Sequence, residues 1–465
     1  MQDHIFRLYD IRGKVGSEMP IDHVEALTHA IAYYFKQNKP EVRTIAVGAD
    51  GRTHSPAIKE RVCKALQDAG LHVIFVGTCP SPVLYFSLYN LPVDAGIMIT
   101  ASHNGPEYNG LKICLGTESV WGTQIQEIKT FYQQGVKLSC DGRGGYQEQD
   151  VIALYISWLK NNFQHLVGCS LKAVVDCGNG AGGTVMPKLV QAFQWRNVTL
   201  LYAEVDGTYP NHEADPTVEE NMQDVKSMLA ASDLACGIGL DGDCDRMAAM
   251  TKSGELVQGD KLLAVFACEL VKTHPGASIV FDIKCSSGLS ELLMAWHARP
   301  VMSPSGHSII KGAMKREHAL LGGELSCHFF FKDKYYGYDD AFYAMLRLFE
   351  LLKDGTSLEA LLACFPHKVS TREYRIACDQ DKMARIVHAV QDTFMRKPGM
   401  ELVTIDGIRV SMQHGWGMLR ASNTQPVLCL RFEANTNEQV SDIKEQFIDA
   451  LMPFYDKAYL IKNLA

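Results

Sequence analysis

No Cys-x-x-Cys pair occurs among the fourteen cysteines. The tightest spacings, Cys169/Cys177 and Cys236/Cys244, are too wide for half of a zinc knuckle. Reduced thiols in a cytoplasmic protein are therefore expected. No apolar run approaches the ~20 residues of a membrane span. The opening residues 1–7 lack the apolar core of a secretory signal, so no export is expected. An excess of positive charge is also missing: 45 Lys and Arg face 53 Asp and Glu, a formal net charge of −8. That balance argues against nucleic acid or an anionic membrane as partner. It leaves room for an anionic small molecule held by a few cations in a cleft.

What is present is a chain of 465 residues, too long for one core, so three or four domains are expected. Residues 6–13 read as a strand-like run. Helical spacing follows over 21–37, then strand signals at 45–48, 72–76 and 95–99. A helix fits 55–68, with Ser55 as N-cap and Pro56 as its first residue. Alternating strand and helix predict a parallel, doubly wound sheet. One pattern recurs at 46–51, 173–183 and 279–288: an aspartate (Asp50, Asp176, Asp282) at a strand end, then small residues, then a helix. Three similar α/β units follow, with linkers near 141–145, 251–254 and 364–367. The domains are accordingly drawn at 1–145, 146–250, 251–364 and 365–465. The last is α+β: a helix over 382–395, a type I′ hairpin around Asp406-Gly407, strands at 416–419 and 427–432, and a helix over 437–459.

Four stretches carry chemistry. Ser102 and His103 leave the apolar strand 95–99 together, and a hydroxyl at a buried strand end is a candidate nucleophile. The surroundings are not a Gly-x-Ser-x-Gly elbow, which disfavours an esterase. Asp241, Asp243 and Asp245 follow another strand. Fully extended, Asp241 and Asp245 would stand ~13 Å apart, beyond the reach of one cation, so the segment must curl, which Gly242 makes cheap. Arg246 and Lys252 exclude an EF-hand, and three hard oxygen ligands with an open position suit Mg2+. Glu324, Ser326 and His328 alternate and would point to one side of an extended segment, suiting sugar hydroxyls. Arg420, Ser422, Asn423 and Thr424 form an anion cradle.

Together these segments resemble the α-D-phosphohexomutase family along the whole chain, most closely its bacterial phosphomannomutase/phosphoglucomutase branch. The serine loop Thr-Ala-Ser-His-Asn stands at 100–104 and the metal loop Asp-Gly-Asp-x-Asp-Arg at 241–246. The sugar loop Gly-Glu-x-Ser-x-His stands at 323–328, the phosphate loop Arg-x-Ser-Asn-Thr-x-Pro at 420–426, and Tyr-Asp-Ile-Arg-Gly at 9–13. The resemblance implies three similar mixed-sheet α/β domains in series plus a C-terminal α+β domain, four domains around a central cleft. It implies a phosphoserine at Ser102, with one Mg2+ between Ser102 and the three aspartates. It also implies reversible transfer between the 1- and 6-positions of a hexose monophosphate through a hexose 1,6-bisphosphate. Arg12, Lys112 and Arg246 are sources of positive charge. His103, Lys112 and His307 remain alternative acid/base groups. Tyr9 and Lys284 match further cleft positions.

Two departures stand out. Gly105 replaces the family's usual proline, and Cys327 replaces the glycine before His328. Leu325 favours mannose and glucose phosphates over glucosamine phosphate. A phosphoglucosamine mutase, a Mg2+-dependent sugar phosphatase and a sugar-phosphate-binding protein with a decayed site are the competing readings. The phosphatase would release free phosphate at the mutase rate. A monomer or weak homodimer is expected.

Overall fold

The computed structural model describes residues 1–465 except 139, 141, 423–425 and 465. Asn423 and Thr424 of the phosphate loop thus lie outside the described residues. The chain forms two compact units, one of residues 1–262 with 326–362, the other of 263–325 with 363–465.

The first unit contains two sheets. One runs in the order Ile11–Lys14, Tyr108–Leu115, Ala95–Ile99, Thr44–Ala49, His72–Thr78 and Tyr146–Glu148. Its centre is parallel, but Tyr108–Leu115 pairs antiparallel with both neighbours, so the sheet is mixed, not all-parallel as the alternation suggested. The hairpin returning from Ser102 causes this: the chain doubles straight back from the 102–107 loop, without a helical crossover. The opening strand begins only at Ile11, with Phe6 touching it through an isolated bridge. The second sheet runs Leu256–Val257, Met247–Thr251, Cys236–Leu240, Ala173–Asp176 and Val198–Leu201. Residues 251–254 are the turn of its hairpin, closed by Gly254 at φ +84°; a linker was expected there.

The second unit holds a parallel sheet of Arg299–Ser303, Ser278–Asp282 and Leu321–Gly323. It also holds an antiparallel sheet in which Tyr374–Ala377 and Gly415–Ala421 flank Val427–Ala434. The Asp406-Gly407 hairpin forms, yet only Gly407 has positive φ, and Val403 pairs with Arg409, so the loop is longer than a two-residue type I′ turn. Asp406 is diverted instead: its carboxylate accepts the Ser305 N–H at 3.1 Å and pairs with Arg420 at 3.0 Å. The expected terminal helix is two helices, Asn437–Leu451 and Lys457–Asn463. Pro453 lacks an amide proton, and Asp456 caps the second helix through the Ala458 and Tyr459 N–H groups at 2.9 and 3.2 Å.

Each strand-end aspartate of the repeat is buried and fixes a neighbouring loop. Asp50 accepts the Ser55 hydroxyl at 2.6 Å, so Ser55 is the first helical residue and its side chain does not cap the helix. Asp176 accepts the Gly178 N–H at 2.7 Å. Asp282 accepts the Ser305 hydroxyl at 2.9 Å and the Leu325 N–H at 3.1 Å. Among the described residues, no helix is long and apolar enough to cross a membrane.

One buried group of the first core stands out. His29, on the helix Val24–Asn38, is 2% exposed, and neither ring nitrogen has a hydrogen-bond partner among the described residues. Burial, helped by the Lys137 charge, holds its pKa below the ordinary 6.5. As the pH falls from 6.5 toward that lower value, the unfolded chain takes up a proton that the folded chain refuses, so stability is lost on the acid side. His29→Leu is expected to flatten this slope and to add about 1 kcal/mol at neutral pH. Thermal melts from neutral to mildly acid pH check both.

Candidate active site

The serine loop starts where Ala95–Ile99 ends. Ser102 is buried and left-handed, at φ +53°, with its N–H on the Thr100 hydroxyl at 2.9 Å. A left-handed serine is strained by about 1–2 kcal/mol, so the loop must be held from outside. Arg12 supplies part of that hold. It reaches the Ala101 carbonyl at 3.1 Å and the Asn104 side-chain oxygen at 2.6 Å, while its Nε donates to Asp10 at 2.9 Å. Tyr9, next to Asp10, is half-buried.

The aspartate loop meets this serine. The Ser102 hydroxyl donates to Asp241 at 2.9 Å and lies 3.1 Å from His103 Nδ1. The curl comes from Cys244, at φ +59°, and not from Gly242 as expected. Gly242 is needed for close approach: a Cβ there would lie 2.4 Å from the Ser102 carbonyl oxygen. The curl brings one carboxylate oxygen from each of Asp241, Asp243 and Asp245 within 4.8 Å of one another, all buried. Burial first, then the Asp245 and Asp243 charges, hold the Asp241 carboxyl well above the usual carboxylate range. Lys112, on Tyr108–Leu115, donates to Asp243 at 2.6 Å and to Asp245 at 2.5 Å. Burial opposes its charge, but Asp243 and Asp245 outweigh it, and its pKa is raised. Burial, then the Arg246 and Arg12 charges, push the His103 imidazole well below its ordinary value.

Arg246 donates to His328 Nε2 at 3.3 Å and lies 3.9 Å from Asp241. His328 Nε2 is 3.2 Å from Asp245 Oδ1, and its Nδ1 is 3.2 Å from the Ser326 hydroxyl. The segment is a turn, with Cys327 at φ +67°, so the one-sided alternation expected of Glu324, Ser326 and His328 does not apply. Cys327 therefore occupies, at a steric cost, the left-handed conformation that glycine adopts freely.

The second unit gathers the remaining candidates around Asp282. Lys284 lies 3.5 Å from it. Burial opposes the Lys284 charge, but Asp282 and Glu373 outweigh it and its pKa is raised. Glu324 accepts the Gly306 N–H at 2.6 Å, beside His307 at the start of the helix His307–Arg316. Arg420 is buried, and Ser422 donates its N–H to the Val427 carbonyl. Glu373, absent from every motif, is held low by Lys284, Arg375 and Arg420 against the opposing effect of burial. Ser81 was also missed by sequence reasoning. Its hydroxyl donates to Asp243 at 2.5 Å and its N–H to the Asp243 carbonyl at 2.9 Å. Only the Ser-Pro at a helix start marked it, and that signal is purely local.

The aspartates fit a divalent cation. Asp243 Oδ1 is buried without a hydrogen-bond partner among the described residues, and the single charge of Lys112 does not balance three carboxylates in one space. Mg2+ is expected to raise the melting temperature, with a gain of ~2.7 kcal/mol at about a hundredfold excess over Kd. Ser81→Ala, by freeing Asp243, is expected to weaken the apparent Mg2+ affinity by roughly tenfold; titrated thermal melts check both.

Comparison with known proteins gives four consecutive matches to phosphoglucomutase/phosphomannomutase domains. Alpha/beta/alpha domains I, II and III match residues 3–138, 153–254 and 258–369, and the C-terminal domain matches 373–450. A phosphomannomutase/phosphoglucomutase of Pseudomonas aeruginosa is 39% identical over 96% of this chain and 95% of its own. A phosphoglucomutase of Neisseria meningitidis is 37% identical over 95% of each chain. The crystal structure of a phosphoglucomutase/phosphomannomutase family protein from Burkholderia thailandensis superposes with a TM-score of 0.89 at 34% identity, covering 97% of this chain and 98% of that one.

Proposed function

The chain belongs to the phosphoglucomutase/phosphomannomutase family, and from that footing we propose that it interconverts the 1- and 6-phosphates of a hexose, mannose and/or glucose, through a phosphorylated Ser102. The observation that carries the reading is the 2.9 Å contact of the Ser102 hydroxyl with Asp241, inside a buried group of three carboxylates. The four domains are taken as 1–145, 146–250, 251–364 and 365–465.

Phosphoryl transfer asks little covalent chemistry of a protein and much alignment and charge neutralisation. Mg2+ held by Asp241, Asp243, Asp245 and the Ser102 phosphate would supply Lewis-acid stabilisation of the transferring group. In the forward half, the P–Oγ bond of phosphoserine breaks as a bond forms from phosphorus to the free hydroxyl of a hexose monophosphate. The hydroxyl proton leaves to a base, and Ser102 Oγ regains one. His103 Nδ1, 3.1 Å from that oxygen, is within reach for this exchange. The hexose 1,6-bisphosphate, which also serves as activator, turns around and returns its other phosphate to Ser102. Arg12, Lys112 and Arg246 offset the moving charge. Tyr9, Lys284, Glu324, Ser326 and His328 hold the sugar, Arg420, Ser422, Asn423 and Thr424 hold the phosphate that is not transferring, and Lys112 and His307 are the alternative acid/base groups. Leu325 tilts the preference away from glucosamine phosphate.

Intact-mass measurement tests the reading. Wild type is expected to carry a phosphoryl-sized increment that disappears on incubation with hexose monophosphate, and Ser102→Ala to carry none. Discharge of the increment as free phosphate, with no sugar bisphosphate formed, would reassign the protein to sugar phosphatases.

A further inference from the structure

Arg52 has no place in any of the motifs, yet its side chain is wholly buried beside the nucleophile loop. Its Nη2 donates to the carbonyls of Ser102 and Asn104 at 2.7 and 2.6 Å. Its Nη1 donates to those of Gly105 and Tyr108 at 2.6 and 3.1 Å. Its Nε donates to Asp50 at 3.1 Å. We propose that Arg52 is the positioning residue of this loop, holding Ser102 in its left-handed conformation by binding four main-chain carbonyls at once.

The chemistry requires arginine. A guanidinium presents five N–H donors in a rigid plane, whereas an ammonium has three and no plane. The fork is itself fixed from behind. Asp50 accepts the Ser55 hydroxyl at 2.6 Å, and Asn109 donates to that same hydroxyl at 3.0 Å. The Tyr209 ring lies 5.1 Å from the guanidinium carbon. Gly207 lets a second loop close over the residue, since a Cβ there would meet the Arg52 Cα at 2.5 Å. One of the four bound carbonyls belongs to Gly105, where the family's usual proline is absent. Arg52 thus restrains the loop at the position where the sequence itself is loosest. Arg52 touches no reacting atom; it acts through the backbone of Ser102.

The kinetic half of the test rests on the mutase reading; the hydrogen-exchange half does not. Arg52→Lys keeps a cation beside Asp50 but loses the fork. Its melt is expected to stay close to wild type. Amide exchange over residues 102–110 is expected to rise at least ~10-fold with the rest of the sheet unchanged. With glucose 1-phosphate and added glucose 1,6-bisphosphate, kcat is expected to fall by roughly 100-fold at constant KM. Unchanged exchange in the loop overturns the proposal, as does a loosened loop with unchanged kcat. A chain-wide rise in exchange with a lowered melt assigns Arg52 a merely structural role and also overturns it. If Arg52→Lys does not fold, Tyr209→Leu, which bares one face of the guanidinium, is expected to give the same local loosening and several-fold lower kcat; its absence there refutes the clamp. A wild type without mutase turnover but with loop loosening in the variant sinks the mutase reading and leaves the clamp standing.

Discussion

Three carboxylates share one buried space beside Ser102, and the surrounding structure is built to make that tolerable. Taking a carboxylate out of water costs several kcal/mol even after relaxation, and each like neighbour adds to it. Lys112 answers Asp243 and Asp245, Arg246 stands near Asp241, and Ser81 donates a hydroxyl to Asp243. Lys112 comes from a strand, Ser81 from the start of a helix and Arg246 from the aspartate loop itself, so the fold of the first unit and the charge balance of the site depend on one another. Removing one cation would leave an uncompensated charge and would not merely weaken one contact.

The repeat shows how one device serves different ends. In each copy a strand-end aspartate is buried and accepts hydrogen bonds that fix a neighbouring loop. Asp50 holds Arg52 and, through it, the serine loop. Asp176 holds the Gly178 turn and lies 3.1 Å from His212. Asp282 holds the Ser305 loop and the backbone of Leu325, next to Glu324. A buried carboxylate aimed at backbone and side-chain donors fixes geometry, which suits a scaffold whose candidate site groups sit on loops.

Much of this was legible in the residues. The strands before Ser102 and Asp241 are short apolar runs, and the loops after them contain the motif side chains in fixed order, so both motifs and strand ends could be read locally. Other features depended on distant contacts. Arg52 binds carbonyls some fifty positions along the chain, and Ser81 meets an aspartate 162 positions away. Glu373 is defined by cations from two other segments. The left-handed residue of the aspartate loop is Cys244, with Gly242 reserved for the approach to Ser102, a choice set by packing and not by propensity. Asp406 gave a turn signal that its tertiary partners Ser305 and Arg420 override.

Lys112 has a consequence for how the protein tolerates scarcity of metal. Its ammonium is a tethered counterion, delivered by a strand to one oxygen each of Asp243 and Asp245. With no dissolved ion bound, the interior still holds an internal neutraliser for these like charges. Any dissolved ion that enters then shares the three carboxylates with a cation that never diffuses away. Doubly charged ions have the advantage there, and sodium or potassium, which offer no more charge than the lysine, have little.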